Sequence, residues 1–423
     1  PPLLLPTPAY LHAAQAFGHW GLADDSTSVK ATVEKRLSRT LDFYLTQPEQ
    51  QHWYGFWDFG DVMHSYDDVR HVWRYDLGGM AWDNSELGTD MWLWYSFLRT
   101  GRADVFRMAE AMARHTGEVD CYHLGQFAGL GSRHNVRHWG GGAKEARISQ
   151  AAYRRFYYYL TTDERTGDVM REMLNVDFKT IEFDPMRLAQ PITDRERALA
   201  PTRVRLGPDW FAFVSNWMTE WERTGDTQWR DKILAGVDSL AGMQYGLRSG
   251  KNLVFGYDPA TGRLYQISDE AGVYNLATIM GGAEVVFELN QMLDSPTWKK
   301  LWLDYCRLYD APKDVLQREK ESGNAEGTDG SYTRDGRLAA YLYRETQNPA
   351  YLDRAVASLL GTDRPRGREP REAHRVDGPV VLNPIDEGLG NTNSSAQSGL
   401  ETISILGLVG DQLPVEAPAP ANP

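Results

Sequence analysis

Five short connections of one kind recur along the 423 residues: Thr100-Gly-Arg-Ala-Asp104, Thr166-Gly-Asp168, Thr224-Gly-Asp-Thr-Gln-Trp229, Asp294-Ser-Pro-Thr-Trp298 and Gln347-Asn-Pro-Ala-Tyr351. Each follows a helix-like run and precedes another, at intervals of roughly 55 to 70 residues. Glycine stops a helix because it tolerates left-handed backbone, and the Asp, Ser, Thr or Asn that follows caps the next one. A chain punctuated this way stacks helical hairpins, because one hairpin alone cannot bury its apolar stripe. About six such pairs use nearly the whole chain. The expected fold is therefore all-α, an (α/α)6 toroid with inner and outer rings of helices and a funnel at one end. The toroid is expected over residues 1–410, with the Pro- and Ala-rich stretch 411–423 as a tail or linker.

Within the hairpins, apolar residues return at helical spacing. Val105, Met108, Ala109 and Met112 make one stripe, and Trp229, Ile233, Val237 and Leu240 a second. Trp298, Leu301, Trp302, Tyr305 and Leu308 make a third, and Leu352, Ala355, Val356 and Leu359 a fourth. These read as core-facing surfaces. Segments 178–205, 319–329 and 361–379 are rich in charge, Pro or Gly and read as long rim loops. Strand-like alternation is confined to residues 252–266, where Asp258-Pro-Ala-Thr-Gly262 could turn a short β-hairpin.

Composition narrows the function. A formal net charge of −13 argues against nucleic acid, whose phosphates need positive charge over a wide face. The 14 tryptophans and 21 tyrosines suit packing or stacking on sugar faces. Cys121 and Cys306 are too far apart for metal-ligand or redox spacing. No apolar run is long enough to span a membrane, so no membrane partner is expected. The opening Pro1-Pro-Leu-Leu-Leu-Pro6 lacks the pattern of a secretion signal and suggests a chain that begins partway through a larger protein. A secreted or periplasmic setting is the favoured one, with a signal removed or lying elsewhere, and a cytoplasmic setting is the alternative.

Against that acidic background, the segment from Gly129 to Arg147 gathers Arg133, His134, Arg137, His138, Lys144 and Arg147 among glycines. Such a local positive cluster points to an anionic ligand, although an ordinary surface turn with solvated arginines has the same composition. Seven of the ten histidines lie between His52 and His138. The run from Trp57 to Trp73 carries His64, Arg70 and His71, and leads to Trp82-Asp-Asn-Ser-Glu86. There Trp82 and Asn84 read as a sugar-contacting rim, while Asp83 and Glu86 also match a helix capping box. His134 and His138 are four apart, yet no His-Glu-x-x-His pattern occurs and the surrounding cations oppose metal binding. Neither a metal nor another cofactor is expected. Gly129-Leu-Gly-Ser-Arg-His134 lacks the strand and the Lys-Ser ending of a nucleotide-binding loop.

Trp57-Asp-Phe-Gly-Asp61 and Gly131-Ser-Arg-His-Asn-Val-Arg-His-Trp139, on this helical-hairpin background, resemble the exo-rhamnogalacturonan lyase family, polysaccharide lyase family 26. The similarity is to its central toroid and covers residues 5–410. It implies elimination at a galacturonate unit of rhamnogalacturonan, acting from a chain end, with β domains before and after the toroid in the full-length protein.

The chemistry can be built separately. Elimination from a uronate requires neutralising its carboxylate, removing the C5 proton and protonating the departing O4. Arg133, Arg137, Lys144 and Arg147 suit the first task, with arginine matching a planar carboxylate best. His134 or His138 suits the base. Tyr122 is the candidate acid or second base, and His64, Arg70, His71, Trp82, Asn84 and Trp139 are candidate substrate contacts. The partner is then an acidic polysaccharide or oligosaccharide. A glycoside hydrolase on the same toroid is the alternative, with paired carboxylates chosen among Asp61, Asp67, Asp68, Asp76, Asp83, Glu86 and Asp120. A noncatalytic module that binds acidic glycans is a third reading.

Overall fold

The computed structural model describes residues 4–76, 81–133, 144–309, 311, 313–322, 335–361, 374–388 and 390–416. All but one of the expected connections cap helices where the sequence places them. Gly101 takes φ 66° after the Thr89–Thr100 helix, and Gly225 takes φ 72° after Ala212–Thr224. Asp226 and Asn348 accept hydrogen bonds from the first turns of Thr227–Ala241 and Pro349–Leu360. Ser295 Oγ likewise accepts from the Trp298 N–H at 3.2 Å in Pro296–Tyr309.

The exception is Thr166-Gly-Asp168, which lies inside the Glu164–Glu172 helix. The connection falls earlier, at Thr162 with φ 56° and Asp163 as N-cap. Gly167 serves packing instead of termination. A Cβ there would come within 2.9 Å of the Tyr158 ring and 3.0 Å of the Arg223 guanidinium.

The chain forms two compact units, residues 1–115 with 335–423, and residues 116–334. In the first, helices Ser28–Gln51, Gly336–Thr346, Pro349–Leu360 and Thr392–Val409 enclose Val33, Ala339, Ala355, Leu359, Ile405 and Val409. Burying each larger aliphatic chain contributes about 1.5–3 kcal/mol before entropy is subtracted. Gly399 lets Thr392–Val409 approach Thr89–Thr100, since a Cβ there would lie 2.3 Å from the Trp92 Nε1. From Trp92 a column of rings runs through Tyr44, Trp73 and Trp53 to Trp82, with successive centroids 5.4, 6.4, 5.5 and 5.4 Å apart.

In the second unit, Ala212–Thr224 packs on Thr227–Ala241, and Arg155–Thr161 on Glu164–Glu172. The expected hairpin is present as Val254–Asp258 paired antiparallel with Arg263–Tyr265. A third strand, Thr202–Arg205, joins it in register Thr202 to Tyr257 and Val204 to Phe255. The sequence reading leaves this strand in an irregular segment because it lacks period-two alternation. Thr202, Arg203 and Val204 are all buried, and Arg203 is covered because it pairs with Asp184 and Glu196. Trp298, Trp302, Tyr305 and Leu308 face inward as their spacing predicts, as do Ile233, Val237 and Leu240. Among the described residues, no helix is long and apolar enough to cross a membrane.

Glycine therefore sets the distance between elements at a few points. Gly207 is the tightest of these, because a Cβ there would lie 1.8 Å from the Leu276 carbonyl oxygen. Gly399→Ala and Gly207→Ala are each expected to destabilise by about 1–3 kcal/mol or more, and Gly272→Ala, with open space around it, by under about 0.5 kcal/mol. Urea denaturation of the three variants measures the difference.

Candidate functional site

In the first unit, the loop from Trp57 is fixed by a buried carboxylate. Asp61 Oδ1 accepts from the backbone N–H of Val62 at 2.7 Å and of Asn84 at 2.8 Å. Asn84 reaches that bond with φ 43°, a left-handed conformation that asparagine tolerates better than most residues. Asp83 Oδ2 accepts from the Thr89 hydroxyl at 2.7 Å. Its Oδ1 is buried with no hydrogen-bond partner among the described residues.

These contacts correct two expectations. Asp83 and Glu86 do not form a capping box, because the helix begins at Thr89 behind Gly88, with no side-chain cap. Trp82 and Asn84 do not form a sugar-contacting rim, because both are buried. Trp82 belongs to the ring column, and Asn84 shapes the turn that Asp61 holds.

Beside Asp61 lies His115, with Nε2 3.7 Å from Asp61 Oδ2. The distance would suit an ion pair, but dehydration disfavours both charges. Burial pushes Asp61 up to about 8 despite its two backbone donors, with Asp90 and Asp58 adding repulsion. Burial also pushes His115 down to about 4. At neutral pH the pair is a protonated carboxyl beside a neutral imidazole. Asp83 is raised as well, by burial first and by its carboxylate neighbours second.

His64, Arg70 and His71 each meet partners elsewhere in this unit. His64 Nδ1 lies 2.8 Å from Ser65 Oγ, and its Nε2 lies 3.2 and 3.3 Å from the side-chain amides of Asn391 and Asn393. Arg70 bonds Asp67 at 2.8 Å and reaches Asp76 at 3.4 Å, while half of its side chain stays exposed. His71 bonds through Nδ1 to Glu387, whose other oxygen accepts from His374 Nε2 at 2.6 Å. Asn391, Asn393 and Glu387 carry no signal that sequence reasoning could use for His64 and His71, because they sit more than three hundred residues from them.

In the second unit, Gly131–Ser132 pairs antiparallel with Lys144–Glu145, and Gly131 also bridges Cys121. This brings Tyr122, Ser132 and Lys144 together, with Arg133 next in the chain. Lys144 Nζ lies 3.2 Å from Ser132 Oγ, 5.2 Å from the Tyr122 ring centroid and 5.8 Å from that of Phe127. An ammonium above two rings gains cation–π attraction. Arg147 is placed differently. It is buried and ion-paired through Nε with Glu145, with Nη1 3.1 Å from Met280 Sδ. Glu145 is shared with Arg205 at 3.2 Å, and Arg205 forks onto Asp209 at 2.8 and 2.9 Å. In this arrangement Arg147 supports the hairpin and is not presented to a ligand, contrary to the expectation that it binds substrate. His134, Arg137, His138 and Trp139 lie outside the described residues.

Helical hairpins joined by short caps, with strands kept to small sheets, define an α/α toroid domain. The chain matches the PcRGLX-like protein C-terminal alpha/alpha toroid domain over residues 1–414 and belongs to that family. It is also 41% identical over 420 residues to the uncharacterized protein YetA of Bacillus subtilis (strain 168), an overlap that covers 98% of this chain and 48% of YetA. The chain thus spans about half the length of that curated relative. A crystal structure of an unsaturated glucuronyl hydrolase from Streptococcus agalactiae aligns with a TM-score of 0.42 at 12% identity, covering 97% of this chain and 86% of that one.

The buried pair gives stability a defined pH dependence. Folded Asp61 keeps its proton to about pH 8, whereas unfolded aspartate releases it near 3.8. Its contribution is complete below the lower value and declines as pH rises to the upper one. His115, neutral when folded, contributes fully above about 6.5 and loses that contribution as pH falls toward 4. Between pH 6.5 and 8 only Asp61 of the two imposes a slope. Asp61→Asn is expected to flatten the decline of unfolding free energy across that window, as read by urea denaturation. An unchanged slope would show that Asp61 is ionised in the folded chain.

Proposed function

We propose that this toroid is part of an enzyme that cleaves a uronate-containing polysaccharide by β-elimination, acting from a chain end on rhamnogalacturonan-type pectin. The observation that carries the reading is the grouping of Lys144 and Ser132 on one short pair of strands, with the Tyr122 ring under Lys144 and Arg133 next in the chain. A cation and a phenol within one small space supply two of the functions elimination needs. Lys144 and Arg133 neutralise the uronate carboxylate, which acidifies the C5 proton. A base takes that proton, the C–H electrons form the C4–C5 double bond, and the C4–O4 bond breaks. The departing O4 takes a proton from an acid, and no water is consumed. Tyr122 serves as acid or base, with His134 and His138 as the other candidates for the base. The substrate class follows from the resemblance of the 57–61 and 131–139 runs to exo-rhamnogalacturonan lyases.

One observation favours hydrolysis. Asp61 keeps a proton at neutral pH, as a general acid must, and a second carboxyl, Asp83, is buried with it in the same unit. Both are fully buried, and Asp61 accepts two backbone bonds, so a structural role accounts for this pair more directly.

The test is ultraviolet absorbance during digestion of rhamnogalacturonan oligosaccharides by the full-length protein. Elimination leaves a conjugated 4,5-unsaturated uronate, and Lys144→Ala and Tyr122→Phe are each expected to lower kcat/KM by about 10² to 10⁴. New reducing ends without absorbance would overturn elimination in favour of hydrolysis.

A further inference from the structure

The aromatic surface of the first unit lies where the expected rim does not. Trp82 is buried, but the column it belongs to continues to Tyr75, whose ring centroid is 6.4 Å from that of Trp82. Tyr75 is more than half exposed, and its hydroxyl accepts from the Trp53 indole N–H at 3.0 Å. The residues that follow Trp53 carry more rings outward, and Tyr54 and Phe56 are each more than half exposed. Exposed rings held by a rigid buried base lose little conformational freedom when a flat apolar face settles on them.

The same unit carries a polar device that begins four residues before Tyr75 in the chain. Glu387, almost fully buried, holds His71 through one oxygen and His374 through the other, while more than half of each imidazole remains exposed. His71 adopts φ 56°, so its backbone takes a conformation most side chains avoid in order to present the ring. A buried carboxylate that fixes two surface imidazoles is a positioning arrangement, and an imidazole so held can donate to or accept from a hydroxyl. Local charge selects among ligands. Among the described residues, Arg70 and Arg74 are matched by Asp67 and Asp76 and offer a carboxylate no excess of positive charge. Rings that stack, imidazoles that bond hydroxyls and balanced charge fit a neutral sugar.

We propose that Tyr75, Tyr54 and Phe56, with His71 and His374 held by Glu387, form a binding subsite for uncharged sugar residues of the polysaccharide. It rests on the polysaccharide reading above but not on the chemistry of cleavage.

The probe that separates the two is a rhamnogalacturonan oligosaccharide whose uronates have been reduced to the neutral sugar. It can neither eliminate nor engage a carboxylate-neutralising cation. The full-length protein is expected to bind it in calorimetry. Tyr75→Ala combined with Phe56→Ala should weaken that binding by about tenfold. His71→Asn, which tolerates the left-handed backbone, should weaken it as well. The circular dichroism melting curve of each variant confirms folding. Wild-type binding by folded platform variants, or no binding of the reduced probe by the parent protein, overturns the subsite. If the native oligosaccharide yields no unsaturated product while the reduced probe binds through Tyr75, the subsite stands and elimination fails. If product forms and the platform variants bind normally, elimination stands and the subsite fails.

Discussion

Two helices can approach only as closely as the smallest residue between them permits, and in the first unit that residue is Gly399 against the indole of Trp92. Much else there follows from this contact. With Trp92 fixed, Tyr44 meets it edge-on, and Trp73, Trp53 and Trp82 follow in turn through tilted and edge-on contacts. The loops at 52–59 and 66–76, which have little regular backbone pairing, are held by this column more than by strands. Trp73 also donates to Gln47 at 2.8 Å and Trp53 to Tyr75, so most members of the column satisfy their polar edges while burying their faces. The tryptophan richness of the chain is therefore largely structural in this unit, and what reaches solvent is the column's outer end.

Buried charge is handled in two ways. In the first, buried acids hold backbone: Asp61 ties Val62 to Asn84, and Asp83 ties itself to Thr89. Dehydration favours their neutral forms, so they work as hydrogen-bonding groups more than as charges. In the second, buried arginines are met by carboxylates, as in Arg155 with Glu288 and Glu222, or Arg205 with Asp209 and Glu145. Removing one member of such a pair would leave a buried charge uncompensated, which costs about 3–5 kcal/mol. Arg147 belongs to this supporting set, and Lys144, on the same strand as Glu145, lies over rings instead.

Local chemistry was legible in the sequence and long-range chemistry was not. Gly101, Gly225 and Asn348 mark helix ends because capping involves residues a few positions apart. The connection near Thr166 was misplaced because Gly167 is there for close packing, a use that looks identical to a helix stop in one dimension. The apolar stripes, the all-α class and the 252–266 hairpin were readable from period alone, whereas strand Thr202–Arg205 was hidden by a buried arginine whose partners lie elsewhere. At the candidate site, Arg133 and Lys144 belong to the basic cluster that the sequence marks between Gly129 and Arg147, and the structure sets Lys144 over the Tyr122 ring. Trp82 and Asn84 were misread because residue type cannot tell a stacking ring from a packed one, and Glu387 was beyond reach.

The hydrogen bonds between His64 and Asn391, 327 residues apart, have a consequence for the order in which the chain is made. Residues 116–334 form an uninterrupted unit that can close as soon as its last helix leaves the ribosome. The unit that begins the chain must wait. Its His64 and His71 and its glycine-spaced helix contact are completed only when residues 387–409 emerge, after residues 116–334 have been made. During that interval its tryptophan-rich loops are exposed to the cell, and a chaperone that shields apolar segments would find its clients at residues 28–100.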